Sequence, residues 1–150
     1  MKVRCWNDHA GTTSHTYRGI GESIASRSLD TLQSFQLNIY TSSLNYDIIP
    51  EICTELKVLA AAPNLQRVVI YLSLDPLYRF PAGVLLEFDR LLTGSGFRRL
   101  NRVGFHVSGS ASPESPDAHE FKEAMERIIR EEFISLPRSE IRTLDTSVIL

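Results

Sequence analysis

Leu65-Gln66-Arg67-Val68-Val69-Ile70-Tyr71-Leu72 decides the fold, because its pattern of apolar residues occurs three times in the chain. The copies begin at Leu32, Leu65 and Leu100, at offsets of 33 and 35 residues. A repeat of that length is typical of stacked supersecondary units. In each copy the last three apolar positions alternate as in a strand, and a helical pattern precedes the next copy. We therefore predict a short β/α solenoid, with a parallel sheet and its helices on one face.

The same spacing predicts the position of each element. Strands are expected at residues 34–40, 68–72 and 103–107, and helices at about 48–62, 81–93 and 116–133. A weaker fourth copy, with apolar Ile141, Leu144 and Val148 but a polar Thr146, predicts a last strand. Residues 1–28 show no period, so we predict an irregular N-terminal lead-in and a repeat domain of three to four units at 29–150.

Composition limits the kinds of partner. The chain has 16 Lys and Arg against 18 Asp and Glu, a formal charge of −2, so its net field attracts neither nucleic acid nor an acidic membrane. No stretch approaches the roughly 20 apolar residues that span a bilayer, and the N-terminus does not resemble a secretory signal. Two cysteines allow at most one disulfide. We expect a cytoplasmic or nuclear protein that binds neither nucleic acid nor membranes.

Aligned parallel strands place equivalent residues side by side, which predicts a candidate binding surface. On the face away from the helices, the predicted columns are Gln36, Val69 and Gly104; Asn38, Tyr71 and His106; and Tyr40, Ser73 and Ser108. Amide, phenol and imidazole groups combine hydrogen bonding with aromatic area, as good interface residues do. The predicted partner-binding residues are Asn38, Tyr71, His106, Gln36, Tyr40 and Val69. The alternative to a binding surface is an ordinary solvent-exposed sheet face, where β-propensity alone favours such residues.

Metal ligands and reactive thiols are not expected. Cys5, His9 and His15 could be offered as zinc ligands, but a structural zinc site needs four ligands, usually in paired short spacings. Cys53 falls on the apolar stripe of a predicted helix, where a thiol behaves as a small hydrophobic group. We therefore predict no metal site.

No catalytic constellation emerges either. His106 has neither a carboxylate nor a nucleophile beside it in the sequence. Glu87 and Asp89 lie two residues apart on a predicted helix, so they point in different directions, and we expect them to be solvated. Gly94-Ser95-Gly96 follows a helix instead of opening one, which favours a turn over a phosphate-binding loop. The sequence predicts a protein that is not an enzyme and needs no cofactor.

Several stretches resemble a known family. The resemblance is carried by Phe88-Asp89-Arg90-Leu91-Leu92, by Phe97-Arg98-Arg99-Leu100-Asn101-Arg102-Val103-Gly104-Phe105, by Phe121-Lys122-Glu123-Ala124-Met125-Glu126 and by Glu131-Glu132-Phe133. Together they resemble the C-terminal part of the F-box proteins of mushroom-forming fungi, which carries irregular leucine-rich-repeat-like units. The likeness covers about residues 29–150.

The resemblance implies a leucine-rich-repeat-like domain that captures a protein for ubiquitination. In that family an N-terminal F-box binds a Skp-type adaptor of a ubiquitin ligase. An F-box opens with a Leu-Pro-x-Glu-like helix start, and the nearest match here, Ile49-Pro50-Glu51-Ile52, lies between two repeat strands. Because the F-box itself is missing, the chain is expected to supply recognition and not adaptor binding.

Two other architectures would fit alternating strands and helices. A small doubly wound α/β enzyme or ligand-binding domain would have helices on both faces of its sheet, which the alternating strands disfavour. A homo-oligomer could also form through an open sheet edge near Leu150. The leading hypothesis remains a non-enzymatic protein-interaction module.

Overall fold

Strands and helices alternate along the chain in a computed structural model that describes residues 1–7, 19–41, 48–74, 82–109, 114, 116–139 and 142–150. The strands are β1 (Lys2–Asn7), β2 (Ser34–Thr41), β3 (Arg67–Leu74), β4 (Arg102–Gly109) and β5 (Thr143–Ile149). The helices are α1 (Ile20–Ser28), α2 (Ile48–Leu59), α3 (Val84–Thr93) and α4 (Pro116–Glu132), and a short 3₁₀ turn at Leu29–Thr31 follows α1. The predicted α/β class is confirmed.

The five strands form one sheet in the order in which they occur in the chain, and every neighbouring pair is parallel. The register agrees with the aligned repeats, since Phe35 pairs with Val68 and Val68 with Val103. The fourth copy is also confirmed, because Leu144 pairs with Val103. The side-by-side columns predicted for β2, β3 and β4 are therefore present in the sheet.

The prediction of an irregular lead-in at residues 1–28 is wrong. β1 pairs with β2 through the backbone, and α1 lies at Ile20–Ser28. β1 has only two alternating apolar residues, Val3 and Cys5, with Asn7 at the position paired with Ile39, and α1 has few apolar residues to reveal its period. The repeat thus begins one unit earlier than its apolar signature.

One face of the sheet carries the hydrophobic core. Buried strand side chains on this face are Phe35, Leu37, Ile39, Val68, Ile70, Leu72, Val103, Phe105 and Val107. They pack against buried helix residues, among them Ile52, Leu56, Leu85, Phe88, Phe121 and Met125. Phe105 contacts Phe88 and Phe133 at ring-centroid distances of 5.8 and 5.4 Å. The described helices cover one face and the strand order runs consecutively, so a doubly wound arrangement does not describe this sheet.

Carboxylates of one repeat cap the helix of the preceding repeat. Glu55 of α2 is buried and accepts hydrogen bonds from the backbone N–H groups of Gly19 and Gly21 at the start of α1, at 2.8 and 2.6 Å. Glu132 of α4 accepts in the same way from Gly83, at 2.7 Å, and from the second residue of α3. Both N-cap glycines have positive φ, 89° and 80°, a conformation that favours glycine. These bonds satisfy free N–H groups of the first helical turn.

Asp89 performs a similar role between α3 and the chain after α4. Its side chain is 0% exposed and accepts hydrogen bonds from the backbone N–H groups of Ser135 and Leu136, at 2.9 and 2.8 Å. The expectation that Asp89 is solvated is therefore wrong. Glu87 is indeed exposed, with its carboxylate 3.7 Å from the Lys57 ammonium. Helix periodicity correctly places Glu87 and Asp89 on different sides of the helix. It gives no sign that backbone N–H groups from a distant part of the chain hydrogen-bond to Asp89.

The inner face of β5 is only partly covered. A groove of about 1070 Å³ lies between α4 and β5, and its lining includes Phe133, Ile134, Leu144 and Val148. Leu144 and Val148, the inward residues of this strand, are only partly buried against the core. Among the described helices, none is long and apolar enough to cross a membrane.

Candidate functional site

The candidate site is the sheet face opposite the helices, which we call the open face. Residues pointing there alternate with the core residues along each strand. Its central columns in β2, β3 and β4 are Ser34, Arg67 and Arg102; Gln36, Val69 and Gly104; and Asn38, Tyr71 and His106. The strands are held in fixed register by backbone hydrogen bonds, so these side chains stand on a rigid platform.

Tyr71 and His106 form the centre of the open face. Their rings are stacked, with centroids 4.7 Å apart and an interplanar angle of 22°. Tyr71 is 39% exposed although it is a large aromatic residue. Stacked rings that remain accessible offer flat apolar area to a ligand together with a phenol hydroxyl.

The His106 ring is fixed on its other side by β5. Its Nδ1 lies 2.8 Å from the hydroxyl oxygen of Ser147, the residue paired with it across the strands. Burial lowers the pKa of His106 below its usual value, the charge of Asp145 opposes that shift, and the charge of Arg67 adds to it. The imidazole is therefore neutral near neutral pH, and it stacks on Tyr71 as an uncharged ring.

Val69 does not fit the predicted role of a contact residue. It points to the open face but is only 2% exposed. The neighbouring Gly104 explains this, because a Cβ there would lie 2.9 Å from a Val69 methyl and 3.0 Å from His106 Nε2. The missing side chain lets Val69 and the imidazole pack down over the β4 backbone. Val69 thus occupies the space above Gly104 and offers almost no area to a partner.

Three further predicted contact residues lie on β2. The Gln36 amide donates to the side-chain oxygen of Asn38 at 3.2 Å, and both residues are half-buried. Asn38 lies beside Tyr71 in the sheet register, as predicted. The side chain of Tyr40 falls outside the described part of the structure. The predicted column of Asn38, Tyr71 and His106 is therefore assembled.

The sequence pattern did not predict a row of cationic side chains, Arg67, Arg102 and Lys2, at the strand starts of the open face. Arg67 and Arg102 are register partners, and they line a depression of about 460 Å³ together with Lys2, Gln66 and Asn101. Extending the predicted columns by one alternation step toward the strand starts would have found both arginines. Their positions in the printed sequence already carried that signal.

Among the residues that the structure describes, Arg102 is the only one of these cations with an acidic partner. Arg102 lies 3.8 Å from the carboxylate of Asp145, and both side chains are half exposed. Arg67 has no carboxylate within 4 Å among the described residues, and its buried Nε atom has no hydrogen-bond partner there. The open face is therefore more positive than the chain as a whole, whose formal charge is −2.

Groups suited to other chemistry are not brought together. Among the described residues, no three His, Cys, Asp or Glu side chains could hold a metal ion. His9, His15 and the side chain of Cys5 lie outside the described part. Cys53 is buried, and burial, with a smaller contribution from the charge of Glu87 against that of Lys57, raises its pKa to about 12. It packs as a small hydrophobic group, as predicted.

The glycine segment after α3 is a turn. The backbone N–H of Gly94 donates to the carbonyl of Leu91 at the helix end, and that of Phe97 donates to the carbonyl of Gly94.

Comparison of the chain with protein-family models, with curated proteins and with solved structures finds no significant match.

Proposed function

We propose that the chain is a non-enzymatic protein-interaction module, a leucine-rich-repeat-like β/α solenoid that recognises a protein partner with the open face of its sheet. The observation that carries the proposal is the accessible Tyr71–His106 stack at the centre of that face. Aromatic side chains surrounded by polar groups are typical of the residues that dominate binding energy at protein interfaces.

The dimensions of the face favour a peptide segment over a whole folded surface. Five strands about 4.8 Å apart and about seven residues long, at about 3.3 Å per residue, give a face of roughly 400 to 500 Å². A standard protein interface covers about 800 Å² on each partner. A loop or an extended segment of the partner fits this area.

Rigid support is what such a surface needs. The absence of a side chain at Gly104 leaves room for Val69 and the His106 imidazole, and the Ser147 hydroxyl on β5 is hydrogen-bonded to that ring. Side chains already ordered in the free protein lose little conformational entropy on binding. The proposal extends to the role implied by the resemblance, the capture of a protein for ubiquitination.

The experiment is affinity capture from an extract of the protein's own cells, followed by reconstitution with the purified candidate. The native chain is compared with the double variant Tyr71→Ala/His106→Ala. We expect the native chain to bind the purified partner directly and the variant to bind it at least about tenfold more weakly, as loss of two hot-spot residues implies. A co-purifying Skp-type adaptor would support the ubiquitin-ligase role.

The matched control is His119→Ala/Ile134→Ala, which removes an imidazole and a large exposed apolar side chain away from the open face. It should bind as the native chain does. Equal binding by the native chain and by the open-face variant would contradict the proposal, provided circular dichroism shows that both are folded.

Self-association through β5 is a separate proposal. The strand lies at the sheet edge with Ile149 exposed, and a free edge can pair with another chain. Sedimentation velocity across a range of concentrations tests it, because Ile149→Lys should remove any dimer that forms there. A native chain that stays monomeric would exclude this association.

A further inference from the structure

The cationic row of the open face has a chemical implication for the partner. Arg67, Arg102 and Lys2 line one depression at the strand starts, together with the uncharged residues Gln66 and Asn101. Guanidinium groups are planar donors that match carboxylates well, and a weakly hydrated guanidinium is suited to an interface. The three cationic side chains around the depression therefore favour the binding of an anionic group there.

Of the two arginines in this row, Arg67 is the more available to a ligand. Its Nε atom is buried with no hydrogen-bond partner among the described residues, and no carboxylate of the described chain lies within 4 Å of it. A ligand carboxylate can therefore pair with the guanidinium without first breaking an ion pair within the described chain.

The spacing between the two features gives the shape of the ligand. Arg67 and Tyr71 lie four residues apart on β3, which is about 13 Å along a strand at roughly 3.3 Å per residue. An extended peptide covers the same distance in about four residues. One peptide can thus reach the cationic row and the aromatic pair together.

We propose that the open face binds an extended acidic segment of a protein, with carboxylates at Arg67 and Arg102 and an apolar or aromatic side chain about four residues away against the Tyr71–His106 stack. This inference rests on the proposed function of the open face and adds the chemistry of its partner. The residue that most opposes it is Asp145, which holds Arg102 in an exposed ion pair.

The experiment selects peptides from a random dodecamer display library on the immobilised native chain and measures the enriched peptides by fluorescence anisotropy. We expect pairs of Asp or Glu about four positions from an apolar residue. Replacing both acids by their amides should weaken binding at least about tenfold, as should raising the salt concentration.

Two variants of the chain test the contacts in opposite directions. Arg67→Gln/Arg102→Gln should weaken binding about tenfold or more, whereas the charge-matched control Arg98→Gln/Arg127→Gln, away from the open face, should leave it unchanged. Asp145→Asn frees Arg102 and should strengthen binding about threefold. A gain of affinity cannot come from a variant that fails to fold.

Each other outcome has a distinct meaning. Enriched peptides that need Tyr71 but carry no acidic residues would overturn the acidic partner and leave the proposed function standing. A selection that yields no binders to the folded native chain would contradict both. A single-stranded oligonucleotide that binds more tightly than the acidic peptides and needs Arg67 would replace the peptide by a nucleic acid.

Discussion

Asp89→Asn should destabilise this protein severely, although it changes only one oxygen to an amide nitrogen. The native carboxylate is fully buried and accepts two backbone N–H bonds, one from Ser135 and one from Leu136. An amide has one oxygen to accept with. Its NH₂ group would therefore face a backbone N–H, leaving donors on both sides without an acceptor.

The structure sets the size of the loss. A hydrogen bond to a charged group contributes about 1.5–3 kcal/mol, and an unsatisfied buried donor costs about 1–3 kcal/mol. The substitution should lower the free energy of unfolding by about 3–5 kcal/mol, against a total of about 5–15 kcal/mol for a domain. At about 2–4 °C per kcal/mol for a chain of this size, the melting temperature should fall by roughly 10 °C.

Urea unfolding followed by circular dichroism, together with calorimetry, measures both quantities. The control is Glu87→Gln, two residues earlier on the same helix, where an exposed ion pair is worth about 0–1 kcal/mol. A loss for Asp89→Asn that is no larger than that of this control would refute the reasoning. It would mean that the backbone N–H groups of Ser135 and Leu136 find other partners at little cost.

Three further predictions follow from buried or tightly packed groups. Because burial raises the pKa of Cys53 to about 12, the native chain and Cys53→Ser should react equally with a thiol reagent, and a difference should appear only after unfolding in guanidinium. Because the pKa of His106 is lowered in the folded chain, the unfolded chain binds the proton more readily. The stability advantage of the native chain over His106→Gln should therefore be complete above the usual pKa of 6.5 and shrink as pH falls through the folded value. An advantage that grows on acidification would contradict this. Gly104→Ala places a methyl group 2.9 Å from Val69 and 3.0 Å from the imidazole, so it should cost about 1–3 kcal/mol in urea unfolding, whereas Ser108→Ala on the same strand should cost less than about 1 kcal/mol.

Apolar spacing predicted most of the sheet because each strand of the repeat has one buried face. The alternation in Phe35-Gln36-Leu37 both identifies a strand and fixes its register against the next copy. β1 carries only part of this signal, since Val3 and Cys5 alternate with Lys2 and Arg4 but the position paired with Ile39 is the polar Asn7. The N-terminal unit was missed for that reason.

The candidate site was predicted as far as register alone determines it. The neighbours Asn38, Tyr71 and His106 follow from alignment of the repeats. The burial of Val69 depends on the empty space above Gly104, a property of three dimensions that a column of letters does not show. The backbone contacts of Asp89 are likewise formed between residues 46 and 47 positions apart.

The carboxylates that cap the helices lie on the other side of the sheet from the open face. A stacked repeat gains little from contacts beyond its nearest neighbours, so each unit must be fixed to the next one directly. Glu55 links α2 to the start of α1, and Glu132 links α4 to the start of α3, on the side of the molecule opposite the open face. Because these bonds and the core hold the repeats together on the helix side, Arg67 and Tyr71 are not needed to hold the sheet together. Arg67 then has no carboxylate within 4 Å among the described residues and Tyr71 is 39% exposed, as the proposed binding of a peptide requires.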